Sequence, residues 1–246
     1  KIINFLLSHT YIEKTKLLVS KVDGWLTPHE GKLLYKLAEK CSGRGVIVEI
    51  GSWQGKSTIC LAKGSKNGNN VKVYAIDPHT GSSEHKQAYG KVWTFDKFKQ
   101  NIKKADVTDI VVPILEYSDK AAKTFNKPVE LIFIDGAHEY NLVKLDFELW
   151  FPKVIDGGII AFHDTVGWEG PKKLVEEIVF NSKNFKNGKF ADYSITYGRK
   201  VKENTIFDRI RNHYVLFLKN LYEVPYNYNL PKSIIYLFKI IIRIIH

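Results

Sequence analysis

The 246-residue chain contains no methionine and only two cysteines, Cys41 and Cys60. Two thiols without ligand spacing exclude a cysteine-built zinc site and imply no disulfide scaffold. Such usage suits a reducing cytoplasm, and a cytoplasmic location is expected. With lysine at position 1 and no methionine anywhere, the natural N-terminus is expected to lie upstream or to be processed. No run reaches the roughly 20 apolar residues needed to span a bilayer. The apolar stretch Ile2–Leu7 is too short for a secretory leader and lacks a cleavage pattern. There is no internal repeat, no low-complexity linker and no recognisable DNA- or RNA-binding motif, so nucleic acid is not expected as a substrate.

What is present is a hydrophobic fraction of 44%, enough for one sizeable core, and a net charge of +11. The charge is uneven: from Arg199 to His246 there are nine Lys/Arg against three Asp/Glu. A basic end of this kind meets an anionic surface or partner, or is simply solvated.

Short Val/Ile/Leu/Phe runs alternate with helical patterns. Strands are expected at 46–50, 71–76, 110–115, 129–134 and 158–162, with helices at 55–63, 91–104, 118–125, 139–150 and 170–180. Near-continuous apolar strands are those covered on both faces, and repeated β–α units imply a parallel, doubly wound sheet. Asn187-Gly188 reads as a hairpin turn before an antiparallel strand near 190–197. Thr27, Pro28 and Glu30 read as a capping box opening a helix that runs to about Cys41. The expected organisation is a helical extension over 1–42, an α/β ligand-binding domain over 43–200, and a basic, apolar helical extension over 201–246. In the last part, a helix at 203–223 is followed by a break at Pro225–Pro231. Ser233–His246 is apolar except for Lys239 and Arg243. It is expected to pack on the domain or on a second copy of the chain in a homo-oligomer, or else to make peripheral membrane contact.

The informative turn is Glu49-Ile50-Gly51-Ser52-Trp53-Gln54-Gly55-Lys56-Ser57, which links the first strand to a helix N-terminus. Bare glycine backbone and free helix N–H groups form a ligand site there. Three ligands compete. A dinucleotide fingerprint requires glycine where Trp53 stands. A P-loop requires one residue more between Gly51 and Gly55-Lys56-Ser57, although Leu131–Asp135 would serve as its second acidic strand. A cofactor without phosphates tolerates Trp53, and Asp77, ending the second strand, has the two carboxylate oxygens a ribose diol needs.

The run Glu49–Ser57, with Phe133–His138 and Gly157–Asp164 at the fourth and fifth strand ends, resembles the class I S-adenosylmethionine-dependent methyltransferases. The likeness covers about residues 25–200 and is greatest to the catechol-type and macrolide-sugar O-methyltransferases. It implies a Rossmann-like α/β fold, with a seven-stranded, mostly parallel sheet whose last strand is antiparallel. It also implies S-adenosylmethionine as cofactor and O-methylation of a small hydroxylated acceptor such as a sugar. Carried over by position, Glu49, Gly51, Ser52 and Gly55 surround the methionine moiety, Asp77 the ribose, and Ser118, with Glu116, the adenine. His79 flanks the adenosine, and Asp135 borders the cofactor. Asp135, His163 and Asp164 hold a divalent metal, Mg²⁺ or Mn²⁺. His163 stands where the catechol-type enzymes carry an acid, and an imidazole suits Mn²⁺, Fe²⁺ or Zn²⁺ better than Mg²⁺. Without a metal, His163 or His138 is the proton acceptor, beside Asp135. Alternatively, Asp135 and Asp164 merely cap the helices that follow, and Ser118 caps its own. The polar stretch Thr80–Trp93, with His85, is a lid over the acceptor or an ordinary excursion. A P-loop-like nucleotide-binding enzyme, or a methyltransferase fold that binds without catalysing, remains the alternative.

Overall fold

The computed structural model describes residues 2–82, 90–191 and 194–227, together with Pro231 and Ser233; for 2–10 and 225–227 it describes the backbone alone. Helices α1 (Ile2–Val19) and α2 (Pro28–Glu39) precede a sheet-forming region. There β1 (Val46–Ile50), α3 (Lys56–Asn67), β2 (Val73–Ile76), α4 (Phe95–Lys104), β3 (Val111–Ile114) and α5 (Ser118–Thr124) follow one another. Next come β4 (Val129–Ile134), α6 (Tyr140–Trp150), β5 (Val154–Phe162) and α7 (Glu169–Val175), which continues as one π turn over Glu176–Phe180. Strands β6 (Phe185–Phe190) and β7 (Thr196–Lys200) complete the sheet, and α8 (Ile206–Asn227) closes the described chain.

The seven strands lie in the order β3-β2-β1-β4-β5-β7-β6, with β1 to β5 parallel and β7 antiparallel to both its neighbours. Along each central strand, successive side chains enter opposite layers. Ile47, Val73, Leu131 and Phe133 face Leu34, Ile59 and Phe98 on one side. Val48, Ile132 and Ile160 face Trp150, Leu174 and Phe180 on the other. Each fully buried aliphatic or aromatic side chain contributes roughly 1.5–3 kcal/mol, so these two layers carry most of the stability. Both thiols are buried, and desolvation pushes Cys41 and Cys60 each up to about 12. They are inert core residues at neutral pH.

Three local expectations change. Asn187-Gly188 is not a turn. It lies inside β6, where the register against β7 shifts between Lys186 and Lys189 and Asn187 has φ 54°. An αL residue that could have closed a hairpin instead forms a bulge in an edge strand, because Phe185 and Phe190 on either side are both buried. The turn comes later, between Phe190 and Thr196. Secondly, α8 runs past Pro225 to Asn227. Thirdly, the capping box is present, but its Glu30 does more than cap. Thr27 N donates to Glu30 Oε2 (2.9 Å), while Oε1 accepts from Ser194 N (3.1 Å) and Ser194 Oγ (2.8 Å). One carboxylate therefore ties the start of α2 to the connection before β7. Most of Thr80–Trp93, including His85, and most of 233–246 lie outside the described residues.

Candidate active site

Four parallel strands end on one edge of the sheet, and backbone bonds hold their first loop residues level. Gly51 N donates to Ile76 O, Asp77 N to Ile114 O, Asp135 N to Ile50 O and His163 N to Ile134 O, all at 2.8–3.1 Å. Outside this edge lies a cavity of about 870 Å³, large enough for a cofactor with a small second substrate.

Gly51 has φ 86°, and a Cβ there would stand 2.0 Å from the Asp135 carbonyl oxygen. The turn after β1 therefore presses on the turn after β4, which only glycine permits. Trp53 also has positive φ, 46°, an outlier for a bulky residue. Its N–H donates to Asp77 Oδ2 (2.7 Å), and His79 N donates to Oδ1 (2.6 Å). Asp77 thus organises the turn while its carboxylate faces the cavity with further acceptor capacity. Ser52 lines the cavity, is buried, and its Oγ has no hydrogen-bond partner. A buried hydroxyl in that state is costly unless a ligand completes it.

Glu49, Gly55, His79 and Glu116 do not line the cavity. Glu49 is fully buried and turned toward helix α3, where Thr58 Oγ1 donates to it. Gly55 is the left-handed cap of α3, with its backbone against Phe98. His79 packs between Phe95 and Phe98, and its Nδ1 pairs with Thr94 Oγ1 (2.8 Å). All three support the turn from behind. Burial pushes Glu49 up to about 8, against the bonds from Ser57 and Thr58. A carboxyl with a raised folded pKa binds its proton more tightly folded than unfolded, so its contribution weakens as pH rises from about 4.5 toward 8. Glu49→Gln is therefore expected to stabilise the protein at pH 8 by ~1 kcal/mol or more and to change little at pH 5. Denaturant unfolding at the two pH values checks this; equal effects at both would refute it.

Asp135, His163 and Asp164 meet in the cavity wall. His163 Nδ1 lies 3.1 Å from Asp135 Oδ1 and 3.1 Å from Asp164 Oδ2, and the three ligand atoms are all within 4.8 Å of one another. Neither acid caps a helix: the residues in that position are Glu139 for α6 and Trp168 for α7. Asp164 is held in the left-handed region, φ 54°, which swings its side chain back toward His163. Neither ring nitrogen of His163 makes a well-aligned hydrogen bond despite these short distances. Three donors that converge in this way are a set that fits a divalent cation. Two ligands at right angles on bonds of ~2.1 Å stand about 3 Å apart, as these do. Glu30 Oε1 lies 3.5 Å from His163 Nε2 on the far side of the ring, the place of the carboxylate that orients a metal-binding imidazole.

Without a cation, the imidazolium of His163 supplies the positive charge between these acids. Burial opposes charge on His163, but Asp135, Asp164 and Glu30 outweigh it and hold the imidazolium pKa well above its usual value. Burial raises the Asp135 carboxyl despite His163 beside it. Asp164 is lowered, since His138 and His163 outweigh its desolvation. His138 lines the cavity, stacks on Trp168 at 4.0 Å and has Nε2 3.0 Å from Asp164 Oδ2.

Ser118 lines the third wall, and Tyr117, not Ser118, is the helix cap. Ser118 Oγ instead donates to Asp146 Oδ1. Asp146 was invisible in the sequence, where it is one acid in an amphipathic helix. Burial raises its pKa to about 6, with the Ser118 bond opposing. Trp25, Trp53 and Trp168 also border the cavity, the first two with ring centroids 5.7 Å apart. Lys56, the lysine a P-loop would use, donates to Gly24 O (2.8 Å).

Residues 48–165 match the family described as a methyltransferase domain. The fold around that stretch is the Rossmann-like fold of the class I methyltransferases. An uncharacterized protein of Sinorhizobium fredii, y4gI, is 30% identical over 128 residues, or 48% of this chain and 13% of that protein. The uncharacterized protein R132 of Acanthamoeba polyphaga mimivirus is 26% identical over 59% of this chain and 63% of its own length. The chain thus spans less than two thirds of either relative. Among solved structures, the O-methyltransferase NovP is 17% identical with a TM-score of 0.61, covering 71% of this chain and 81% of that one. An O-methyltransferase from Bacillus cereus, in complex with SAH, is 19% identical with a TM-score of 0.54, covering 78% and 91%. An rRNA methylase from Streptococcus thermophilus is 13% identical with a TM-score of 0.51, covering 69% and 95%, so the fold by itself does not choose the acceptor.

Proposed function

We propose that the chain is an S-adenosylmethionine-dependent O-methyltransferase whose small hydroxylated acceptor is bound beside a divalent cation on Asp135, His163 and Asp164. The observation that carries this is one cavity with Gly51, Ser52 and Asp77 on one wall and the three convergent donors on another. Asp77 accepts from the ribose hydroxyls. The orphan hydroxyl of Ser52 and the bare backbone of Gly51 meet the amino-acid end. Ser118 and Asp146 face the base. S-Adenosylmethionine supplies an activated methyl group, so alignment and deprotonation are what the protein adds. Asp135, His163 and Asp164 would hold the cation, Mn²⁺ in preference to Mg²⁺ for a site containing imidazole, and it would supply the Lewis acidity that lowers the pKa of an acceptor hydroxyl. His138, at the cavity wall, is placed to take the proton, and Glu30 fixes the His163 ring. The indoles of Trp25 and Trp168 offer apolar faces on which a sugar ring can lie.

Titration calorimetry of the full chain with S-adenosylhomocysteine, with ATP and with Mn²⁺ tests this. S-Adenosylhomocysteine is expected to bind and ATP not; the reverse overturns the reading in favour of a P-loop-like site. Because His163 is held protonated, Mn²⁺ is expected to displace a proton and to bind more tightly as pH rises. Buffers of different ionisation enthalpy count that proton. Methyl transfer unaffected by a chelator would leave His138 as a metal-free base.

Asp146 has a sharper consequence. Its Oδ1 is occupied by Ser118 and its Oδ2 lies toward Gly136 in the cavity wall, where it can accept from the exocyclic amine of adenine. Wild type is expected to prefer S-adenosylhomocysteine over its inosine analogue by about tenfold or more, one charged hydrogen bond being worth ~1.5–3 kcal/mol. In Asp146→Ala that preference should shrink to near unity; an unchanged ratio removes Asp146 from base recognition.

A further inference from the structure

Helix α8 is mounted firmly on its inner side and, among the described residues, uncovered on its outer side. Val215, Leu218 and Tyr222 are buried, and Asn212 accepts from Gly188 N (3.0 Å) and donates to the carbonyls of Val179 (3.3 Å) and Phe185 (3.1 Å). Glu223 pairs with Lys219 and, at 2.6 Å, with Lys172 of α7. The helix is therefore an integral part of the domain. Its other face carries Ile206, Phe207, Ile210, Tyr214 and Phe217, exposed by 61, 79, 62, 49 and 62%. At about 100° per residue these five fall within one arc of roughly 100°. A contiguous apolar stripe of this size is uncommon on a free soluble surface and marks an interaction site.

The charges around the stripe favour one occupant. Arg209 and Arg211 lie along its two edges, and no carboxylate shares the outward arc, Asp208 being on the opposite side and tied to Thr205. Arg211 also donates to Gly188 O (3.4 Å) and lies near Asp208, whose carboxyl it helps to lower, but two such faces from two copies would still bring Arg209 and Arg211 of each against cations of the other. An anionic surface offsets them. The same sign dominates from Arg199 onward, where nine Lys/Arg stand against three Asp/Glu. Among the described residues no helix is long and apolar enough to cross a membrane.

We propose that the outward face of α8 docks on an anionic lipid surface, with Phe207, Tyr214 and Phe217 in the headgroup layer and Arg209 and Arg211 against lipid phosphates. An apolar face bordered by arginines, with aromatic rings among its anchors, is the pattern of an interfacial helix. This placement needs no assumption about the cofactor or the acceptor.

Vesicle flotation of the full chain tests it, using phosphatidylcholine alone and phosphatidylcholine with about 30% phosphatidylglycerol. Flotation with the anionic vesicles, weakened by salt, is expected. The double variant Phe207→Asp/Phe217→Asp should lose it by at least about tenfold. The variant Arg209→Glu/Arg211→Glu, which leaves the apolar stripe untouched, should also weaken it. Unchanged circular dichroism and unfolding midpoint in both variants show that the fold is intact. The proposal is overturned by absence of flotation on anionic vesicles, or by flotation that survives in both variants. It is equally overturned if light scattering shows a dimer, lost in Phe207→Asp/Phe217→Asp, without vesicle binding: the face would then be covered by a second copy.

Discussion

Replacing Asp77 by alanine is expected to weaken S-adenosylhomocysteine binding about 100-fold, since a hydrogen bond to a charged group contributes ~1.5–3 kcal/mol and two ribose hydroxyls lose their acceptor. A second loss compounds the first. Asp77 also receives the backbone N–H of Trp53 at 2.7 Å and of His79 at 2.6 Å, and it thereby holds Trp53 in its left-handed conformation, φ 46°. Without the carboxylate the turn loses one of the bonds that offset that strain, of order 1–3 kcal/mol, and keeps the Gly55 N to Ser52 O bond at 2.7 Å. The turn beside Gly51 and Ser52 is expected to relax away from the cavity. Asp77→Asn keeps one oxygen acceptor and should fall between, at about tenfold. Calorimetry with S-adenosylhomocysteine decides: affinity within a factor of about three of wild type in Asp77→Ala would mean that the ribose sits elsewhere.

The largest effect on stability is expected from Gly51→Ala. Its φ of 86° alone costs an L-residue roughly 1–2 kcal/mol. The added methyl would stand 2.0 Å from the Asp135 carbonyl oxygen and 2.6 Å from its carbon, inside any van der Waals contact. Backbone on both sides has to move, so a total loss above about 3 kcal/mol is expected. Because the displaced residue is Asp135, Mn²⁺ binding should weaken together with stability. Gly43→Ala is the control: its φ is 87°, yet nothing lies within 4 Å of the new Cβ, so only the conformational cost should appear. Denaturant midpoints of the two variants separate crowding from backbone conformation, and equal midpoints would dispose of the close-approach argument.

These two residues were legible as site residues because both sit at strand ends, where a change from apolar to glycine or acid is a local signal. Ser52, Ser118, Asp135, His138, His163 and Asp164 share that property, and the structure brings them all to the same cavity. Glu49 and His79 obey the same pattern and still face away from it. Direction is set by what lies behind the strand ends. Thr58 draws Glu49 into α3, and Phe95, Phe98 and Thr94 enclose His79. Glu30 and Asp146 show the opposite failure. Their sequence contexts, a capping box and an amphipathic helix, account for them fully at short range. Glu30 meets Ser194 across 164 positions, and Asp146 meets Ser118 across 28.

The sequence by itself determined the order of strands and helices, the parallel doubly wound sheet, and the strand edge on which chemistry is placed. Those follow from apolar periodicity and from glycine and acid punctuation, which act over a few residues. Only the tertiary structure decided which polar side chains at that edge face the cavity. It also turned Asn187-Gly188 from a hairpin into a bulge and left one face of α8 uncovered by the described residues. In each case the outcome depends on desolvation and packing against elements far along the chain. Burial on both flanks kept the strand around Asn187 extended. On α8, the bonds of Asn212 and the buried pairing of Lys219 with Glu223 chose which face turned inward.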